Sequence, residues 1–503
     1  MKVLKILSRR SALAKIQAKC VGEALASINS DLSIDYFASD AKADKEKNMS
    51  LANAGITGVF TKDISKKIIK REFDIAVHSW KDLPLDPSNE TEIAGTLDRG
   101  DLRDILVVKE ETSKMAGKKS LKILTSSPRR RYNLGKILNE LIPISFKNLD
   151  FVDVRGNIET RLQKFCSTDS DVIVLAKVAM DRILEYGNKS SKKFVREILK
   201  NNKWLIMPLS VFPTAPGQGA IAIEIRKDRF DLKKHIEKIN NHKNFSDVIS
   251  EKTTLDGYGG GCQQRIGVSA WNTKNMKISS IVGKTEQNKN FNKYKILKKE
   301  HSEYKVPLKT MYPLKNSKKM FSRSRINNSK KISSLENSFV YLSRKNVVDD
   351  CKLISDSNIL WTSGIECWKY AVKKGLWISG SSDGLGEDQE RNINNFVPKR
   401  TKSFKLSNLS SKSKKYELIP TYELIFDREN IKYLKLNEKT YFFWMSPIQF
   451  DKAVEIFPSI IDKSHSCGIG RTYDHLLEKL PSSNKPKCFL TYSQWLSFYR
   501  KEN

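Results

Sequence analysis

The chain has 503 residues, and at ~150 residues per domain that length predicts roughly three domains or more. A hydrophobic share of 39% excludes wholesale disorder, and the longest apolar runs, such as Val172–Ala176, are far shorter than the ~18–20 residues that span a bilayer. The apolar run before Arg9 and Arg10 is too short for a signal peptide, so a cytoplasmic protein with no membrane partner is expected.

The 90 Lys and Arg against 57 Asp and Glu give a formal net charge of +33. That balance invites a nucleic-acid partner. Of the 90, however, 67 are Lys and only 23 Arg, and Asn and Ser are abundant, so much of the charge reads equally well as a solvated surface. Eight of the Arg fall between residues 99 and 182, namely Arg99, Arg103, Arg129, Arg130, Arg131, Arg155, Arg161 and Arg182. Arg at chosen points of a Lys-rich chain suggests planar, two-pronged recognition of anions. The seven Cys form no CxxC pair and are odd in number, which argues against a disulfide framework or a zinc ribbon. The six His are scattered, and no metal site is expected.

Through the first 190 residues one pattern recurs: an apolar run of strand length, a small polar or cationic turn, then an amphipathic helix. Val3–Leu7 leads into Ser8-Arg9-Arg10-Ser11 and a helix Ala12–Leu25. Leu121–Leu124 leads into Thr125-Ser126-Ser127-Pro128 and a helix with Leu134, Ile137 and Leu138 on one face. Phe151–Val154 precedes Arg155-Gly156-Asn157, and Val172–Leu175 precedes a helix bearing Arg182. Such alternation predicts an α/β fold with mainly parallel strands and a ligand beyond their carboxyl ends, where the polar turns lie. Pro213, Pro216 and Gly217-Gln218-Gly219 then precede a strand Ala220–Ile225. A helix near Phe245–Leu255, the glycine-rich turn Gly257–Gly261 and strands near Ile266–Ala270 and Lys277–Val282 form a smaller α+β unit. The Lys-, Ser- and Asn-rich stretch 310–337 reads as a linker, and a second α/β region follows, broken by an exposed loop at Lys399–Lys415.

Three constellations carry chemistry. In Thr125–Arg130, Ser127 is placed to cap a helix and Pro128 to start it. Free backbone N–H groups, hydroxyls and two Arg then converge as an anion site; the plainer reading is a capped helix with surface Arg. In Asp74–Pro84 a buried strand ends at Val77, and Asp82 beside Lys81 can stabilise a developing cation or relay a proton, or can simply form a turn before Pro84. In Tyr258–Cys262 three glycines can bring the Cys262 thiol to an accessible position, as a covalent anchor or a nucleophile; a lone Cys is otherwise a small core residue. Val282-Gly283-Lys284-Thr285 fails as a P-loop because Ile278 stands where the first Gly belongs, and Gly257–Gly261 lacks dinucleotide-site spacing.

Taken together in chain order, Ile6–Ala14, Asp74–Pro84, Arg99–Asp104, Thr125–Arg130, Arg155-Gly156-Asn157 with Arg161, Pro216–Ala220 and Gly260–Gln263 resemble porphobilinogen deaminase, also called hydroxymethylbilane synthase, over roughly residues 3–300. The resemblance implies two periplasmic-binding-protein-like lobes, 1–100 with 205–225 and 101–204, followed by a small α+β domain at 226–309. It implies that Cys262 carries a dipyrromethane cofactor through a thioether and that Asp82 is the catalytic carboxylate, assisting ammonia loss and holding cationic and pyrrole nitrogen groups. Arg9, Ser11, Ser79, Lys81, Thr125, Ser126, Arg129, Arg130, Arg155, Arg161 and Arg182 would bind acetate and propionate side chains or the cofactor. Gln218 would line the cleft and Phe60 would lie near substrate on a lid. Four porphobilinogens would be condensed to hydroxymethylbilane by a monomer, with no nucleic acid involved. Departures stand at Ala43-Asp44, Thr57 and Pro128, where the family has Gly-Asp, Lys and Leu. The tail 338–503 resembles uroporphyrinogen-III synthase more loosely, through Ile359–Gly364, Glu417–Tyr422, Tyr441–Ser446 and Gly468–Thr472. That implies cyclisation of the product; a purely structural tail is the other reading. For the whole chain, a noncatalytic two-lobed binder of polycarboxylates is the alternative.

Overall fold

A computed structural model describes residues 2–39, 62–85, 88–259, 264–273, 276–285, 287–297, 305–315 and 317–500. The fold is mixed α/β and is built on five sheets.

The first sheet has the order β2-β1-β3-β10-β4, from β1 (Lys2–Arg9), β2 (Leu32–Ser39), β3 (Ile75–Ser79), β4 (Thr91–Gly95) and β10 (Ile221–Arg226). The second has the order β7-β6-β8-β5-β9, from β5 (Asp104–Lys109), β6 (Gly117–Leu124), β7 (Ser145–Val152), β8 (Val172–Ala176) and β9 (Asn202–Ile206). In each sheet three strands pair in parallel, as the strand–turn–helix grammar predicts. The expectation of mainly parallel pairing is corrected for the other two. Strand β10 runs antiparallel to β3 and β4, and β5 runs antiparallel to β8 and β9. The reason is topological: each of these strands begins after the chain has crossed over from the other sheet. The central strand β8 is buried along its whole length, as a strand covered on both faces must be.

Helices pack by their apolar faces. Helix Pro128–Leu141 starts with the Ser127 side chain accepting from Arg130 N and with Pro128 in its first turn, and it buries Leu134, Ile137, Leu138 and Leu141. Helix Ala12–Ile28 is capped by Ser11, which accepts from Ala14 N. Helix Phe230–Glu237, expected in the small α+β unit, sends Leu232 and Ile236 into the core of the first sheet. Helix His242–Asp256 and the antiparallel sheet β11 (Arg265–Asn272), β12 (Lys277–Lys284), β13 (Asn290–Leu297) follow.

The tail holds two further sheets. One has the order β15-β20-β19-β16-β17-β18, from β15 (Phe321–Arg325), β16 (Phe339–Leu342), β17 (Ile359–Thr362), β18 (Gly380–Ser381), β19 (Ser403–Asn408) and β20 (Glu417–Phe426). The other, all parallel, has the order β14-β21-β22-β23, from β14 (Met311–Tyr312), β21 (Tyr441–Trp444), β22 (Ser464–Cys467) and β23 (Lys487–Cys488). Two expectations are corrected here. The stretch read as a linker, 310–337, supplies the edge strands β14 and β15. The stretch read as an exposed loop, Lys399–Lys415, contains β19, paired on both sides and buried from Phe404 to Ser407. The tail is not a separate bead. Leu134, Ile137 and Leu138 share one apolar core with Trp368, Ala371 and Val372, and Trp368 Nε1 donates to Leu141 O at 2.9 Å. No helix among the described residues is long and apolar enough to cross a membrane.

Candidate active site in the cleft between the lobes

Four parallel strands of the first two sheets, β1, β3, β6 and β7, deliver a polar segment at their carboxyl ends. Strand β1 ends at Arg9 and hands over to Ser11. After β3 the chain makes a single 3-10 turn, Trp80–Asp82, with Ser79 at its start. Trp80 is fully buried and anchors this turn, so Lys81 and Asp82 are held by a rigid neighbour. The Ser79 hydroxyl is paired with the Gln17 amide at 2.9 and 3.1 Å. After β6 come Thr125 and Ser126. The Thr125 hydroxyl accepts from Ser127 N, and the Ser126 hydroxyl both donates to Val154 O and accepts from Val154 N, at 3.0 Å each. These two hydroxyls therefore shape the turn as well as face it. Arg155 and Arg161 follow β7; Arg161 Nε donates to Gly156 O at 2.8 Å.

The two lobes face each other electrostatically. Burial lowers the pKa of Lys81; Asp82 and Asp104 oppose that shift, while Arg130 and Arg161 add to it. Burial likewise lowers Arg161, assisted by Arg130 and opposed by Asp82. Cations held below their ordinary range by burial and by one another are short of negative charge, which a ligand with several carboxylates would supply. This donor set fits a polycarboxylate pyrrole cofactor.

Arg129 and Arg130, read in the sequence as ligand contacts, are both committed to Asp104. Arg129 Nη2 donates at 2.7 Å, and Arg130 Nη2 and Nε at 2.6 and 3.2 Å. Arg129 Nη1 also donates to Pro213 O and Arg130 Nη1 to Val174 O. Burial pushes the Asp104 carboxyl up, but the two guanidiniums outweigh it and hold it well below the usual carboxylate range. Gln218, expected to line the cleft, donates to Asp104 Oδ1 at 2.9 Å and to Leu102 O at 2.7 Å. Arg182 donates to Gly219 O at 2.9 Å, and burial lowers its pKa.

The sequence reading missed Asp104 as the organiser, although a signal existed. An acid opening the apolar run Ile-Leu-Val-Val must be buried and therefore paired. It also missed Glu251, which takes both prongs of Arg99 at 2.9 Å and the Gly217 and Ala270 amides. Likewise it missed Glu224, which His78, Thr91 and Ser65 surround. Cys262, with Gly260 and Gly261, and Phe60, with Ala43-Asp44 and Thr57, lie outside the described residues.

The turns of two α/β lobes thus bring Lys81 and Asp82 of one together with Arg130 and Arg161 of the other, an arrangement suited to a multiply anionic small molecule. Comparison with known proteins makes that particular. The model for porphobilinogen deaminase, dipyromethane cofactor binding domain, matches residues 4–234. A probable porphobilinogen deaminase of Picrophilus torridus is 34% identical over 267 residues, which are 53% of this chain and 85% of that protein. The porphobilinogen deaminase of Caldicellulosiruptor saccharolyticus is 35% identical over 270 residues, 53% of this chain and 84% of that one. The chain belongs to the porphobilinogen deaminase family. Among solved structures, a putative periplasmic sulfonate-binding protein of Methylobacillus flagellatus is similar at 13% identity, with a TM-score of 0.27 over 50% of this chain and 68% of that one; a likeness that slight adds nothing to the architecture above.

Proposed function

We infer that the chain is a hydroxymethylbilane synthase, a transferase of tetrapyrrole biosynthesis that joins four porphobilinogens head to tail with release of ammonia. The observation that carries the reading is Asp82 set among Lys81, Arg130 and Arg161 at the meeting of the two lobes. Each condensation breaks the C–N bond of a substrate aminomethyl group and forms a C–C bond to a pyrrole α-carbon. Ammonia leaves, and the α-carbon gives up its proton. A methylene carbon losing ammonia develops positive charge, and a fixed carboxylate in a water-poor cleft stabilises that charge more than the same group in water. Asp82 has that role here. Lys81, Arg161, Arg155, Arg9 and Ser11 take the acetate and propionate groups. Asp104 holds Arg129 and Arg130 in place, so those two arginines present a fixed field rather than mobile arms. Cys262 holds the dipyrromethane cofactor through a thioether, and when bound that cofactor supplies the pyrrole carbon to which the first substrate adds.

For the tail, cyclisation of hydroxymethylbilane is supported by two mostly parallel sheets whose loops meet. A structural tail is favoured by what closes that meeting. Glu387 pairs with the largely buried Lys405 and with Arg471, and a Cβ on Gly386 would lie 3.2 Å from Gly470 Cα. One experiment reads both. The full chain and its Asp82→Asn variant are supplied with porphobilinogen, and the rate and ring isomer of the product are measured. The variant is expected to lose about two to three orders of magnitude in rate; a rate near wild type would remove Asp82 from the chemistry. Product of the III isomer from the full chain supports cyclisation, and the non-enzymatic I isomer alone supports the structural tail.

A further inference from the structure

The chain crosses between the two lobes twice, along 96–103 and along 207–220. The crossovers lie against each other. Gly100 N donates to Gly219 O at 3.2 Å, and Arg99 Nε donates to Gln218 O at 2.8 Å. A Cβ on Gly219, whose φ is +88, would come within 2.6 Å of Gly100 O. Any change in the angle between the lobes has to be absorbed here.

A single segment of the tail, 379–396, which runs from β18 into a loop, reaches the end of β9 and grips both crossovers. Ser379 O accepts from Ile206 N at 2.9 Å. The Asp383 carboxylate accepts from Ser210 N at 2.8 Å and from the Ser210 hydroxyl. Leu385 is buried against Leu209 and Leu102, one from each crossover. Arg391 O accepts from Arg103 Nη2 at 2.7 Å, while Arg103 makes a two-pronged pair with Asp101. Phe396 lies 4.7 Å beneath the ammonium of the fully buried Lys177. Lys177 in turn pairs with Asp181 at 2.6 Å and Asp101 at 3.4 Å. The residue after Arg103 is Asp104, which holds Arg129, Arg130 and Gln218.

Asp383 has a left-handed backbone, with φ +53. Asp adopts that conformation more readily than most residues other than Gly. Its carboxyl group, whose pKa burial raises, takes a backbone amide and a hydroxyl of the second crossover.

We propose that Asp383 is a positioning residue for the deaminase: through the segment 379–396 the tail braces both crossovers and sets how far the lobes open as the pyrrole chain lengthens. Four substrates are added in one cleft whose anion-binding groups come from both lobes, so the lobe angle is a variable of the reaction. The inference rests on the deaminase reading.

The test uses the full chain with Asp383→Ala and Asp383→Asn. Hydrogen exchange is followed without substrate, and intact mass after limiting porphobilinogen gives the distribution of pyrrole chain lengths. In Asp383→Ala, exchange across 207–214 is expected to rise roughly tenfold or more, because the two hydrogen bonds from Ser210 to the Asp383 carboxyl are lost. The distribution of chain lengths is expected to shift, with Asp383→Asn falling between the variant and wild type. An unchanged distribution in Asp383→Ala overturns the proposal, whether or not the melting temperature falls, since a merely structural contact would move only the latter. If wild type adds no pyrrole mass at all, it is the deaminase reading that fails. Exchange then decides the brace by itself, and unaltered exchange overturns it.

Discussion

Asp104 accepts four hydrogen bonds, from Arg129 Nη2, Arg130 Nε and Nη2, and Gln218 Nε2. Its side chain is fully buried, so a carboxylate and two guanidiniums satisfy one another out of water. Removing one partner of such a group is far costlier than the pair is stabilising, because the remaining charges stay buried. Asp104→Ala is therefore expected to destabilise the chain by about 3–5 kcal/mol, read as a fall in denaturation midpoint, and to abolish turnover because Arg129 and Arg130 lose their aim. A variant with wild-type stability would contradict the account of the site. The arginines were legible in the sequence because they follow a strand end, a cap and a proline. Their partner was not, because pairing Asp104 with a turn some 25 residues later requires β5 and β6 to lie in one sheet. For Cys262, which lies outside the described residues, only the ordered resemblance names a cofactor anchor. Its glycine-rich turn leaves both a core thiol and an accessible one open.

At the scale of elements, the strand–turn–helix grammar placed β1, β6 and β8 near their observed positions, since apolar runs flanked by capping residues have few alternatives, whereas β7 runs from Ser145 to Val152 rather than over the expected Phe151–Val154. The antiparallel direction of β5 and β10 was hidden, because direction follows from where the chain crosses between lobes and no local pattern records it. Composition misled in the tail. Strand β19 was read as loop because lysines surround it, yet Lys405 is buried inside the sheet against Glu387. Strands β14 and β15 read as linker because the stretch around them is rich in Lys, Ser and Asn, yet β14 is buried. That correction has a consequence for cutting the chain. A fragment 338–503 lacks β14 and β15, the edge partners of β21 and β20, and leaves both sheet edges bare. By size-exclusion chromatography and thermal melting, 305–503 is expected to be the better folded and less aggregated of the two; equal behaviour would contradict the assignment of those strands.

For the whole molecule, the charge of +33 that suggested nucleic acid divides into two populations. Lysines such as Lys189 and Lys193 are exposed, whereas Arg99, Arg103, Arg129, Arg130 and Arg182 are buried or largely so and hold specific partners. Those arginines are satisfied within the protein; it is Lys81 and Arg161, lowered by burial and by neighbouring cations, rather than the total charge, that match a small ligand bearing several carboxylates. The central claim is that the cleft builds a pyrrole chain on Cys262, and intact mass tests it most directly. The full chain given porphobilinogen is expected to carry a covalent dipyrrole and to gain mass in whole pyrrole units, while Cys262→Ser carries neither. A wild-type chain with no adduct, or a Cys262→Ser chain with the same adduct and turnover, would contradict it.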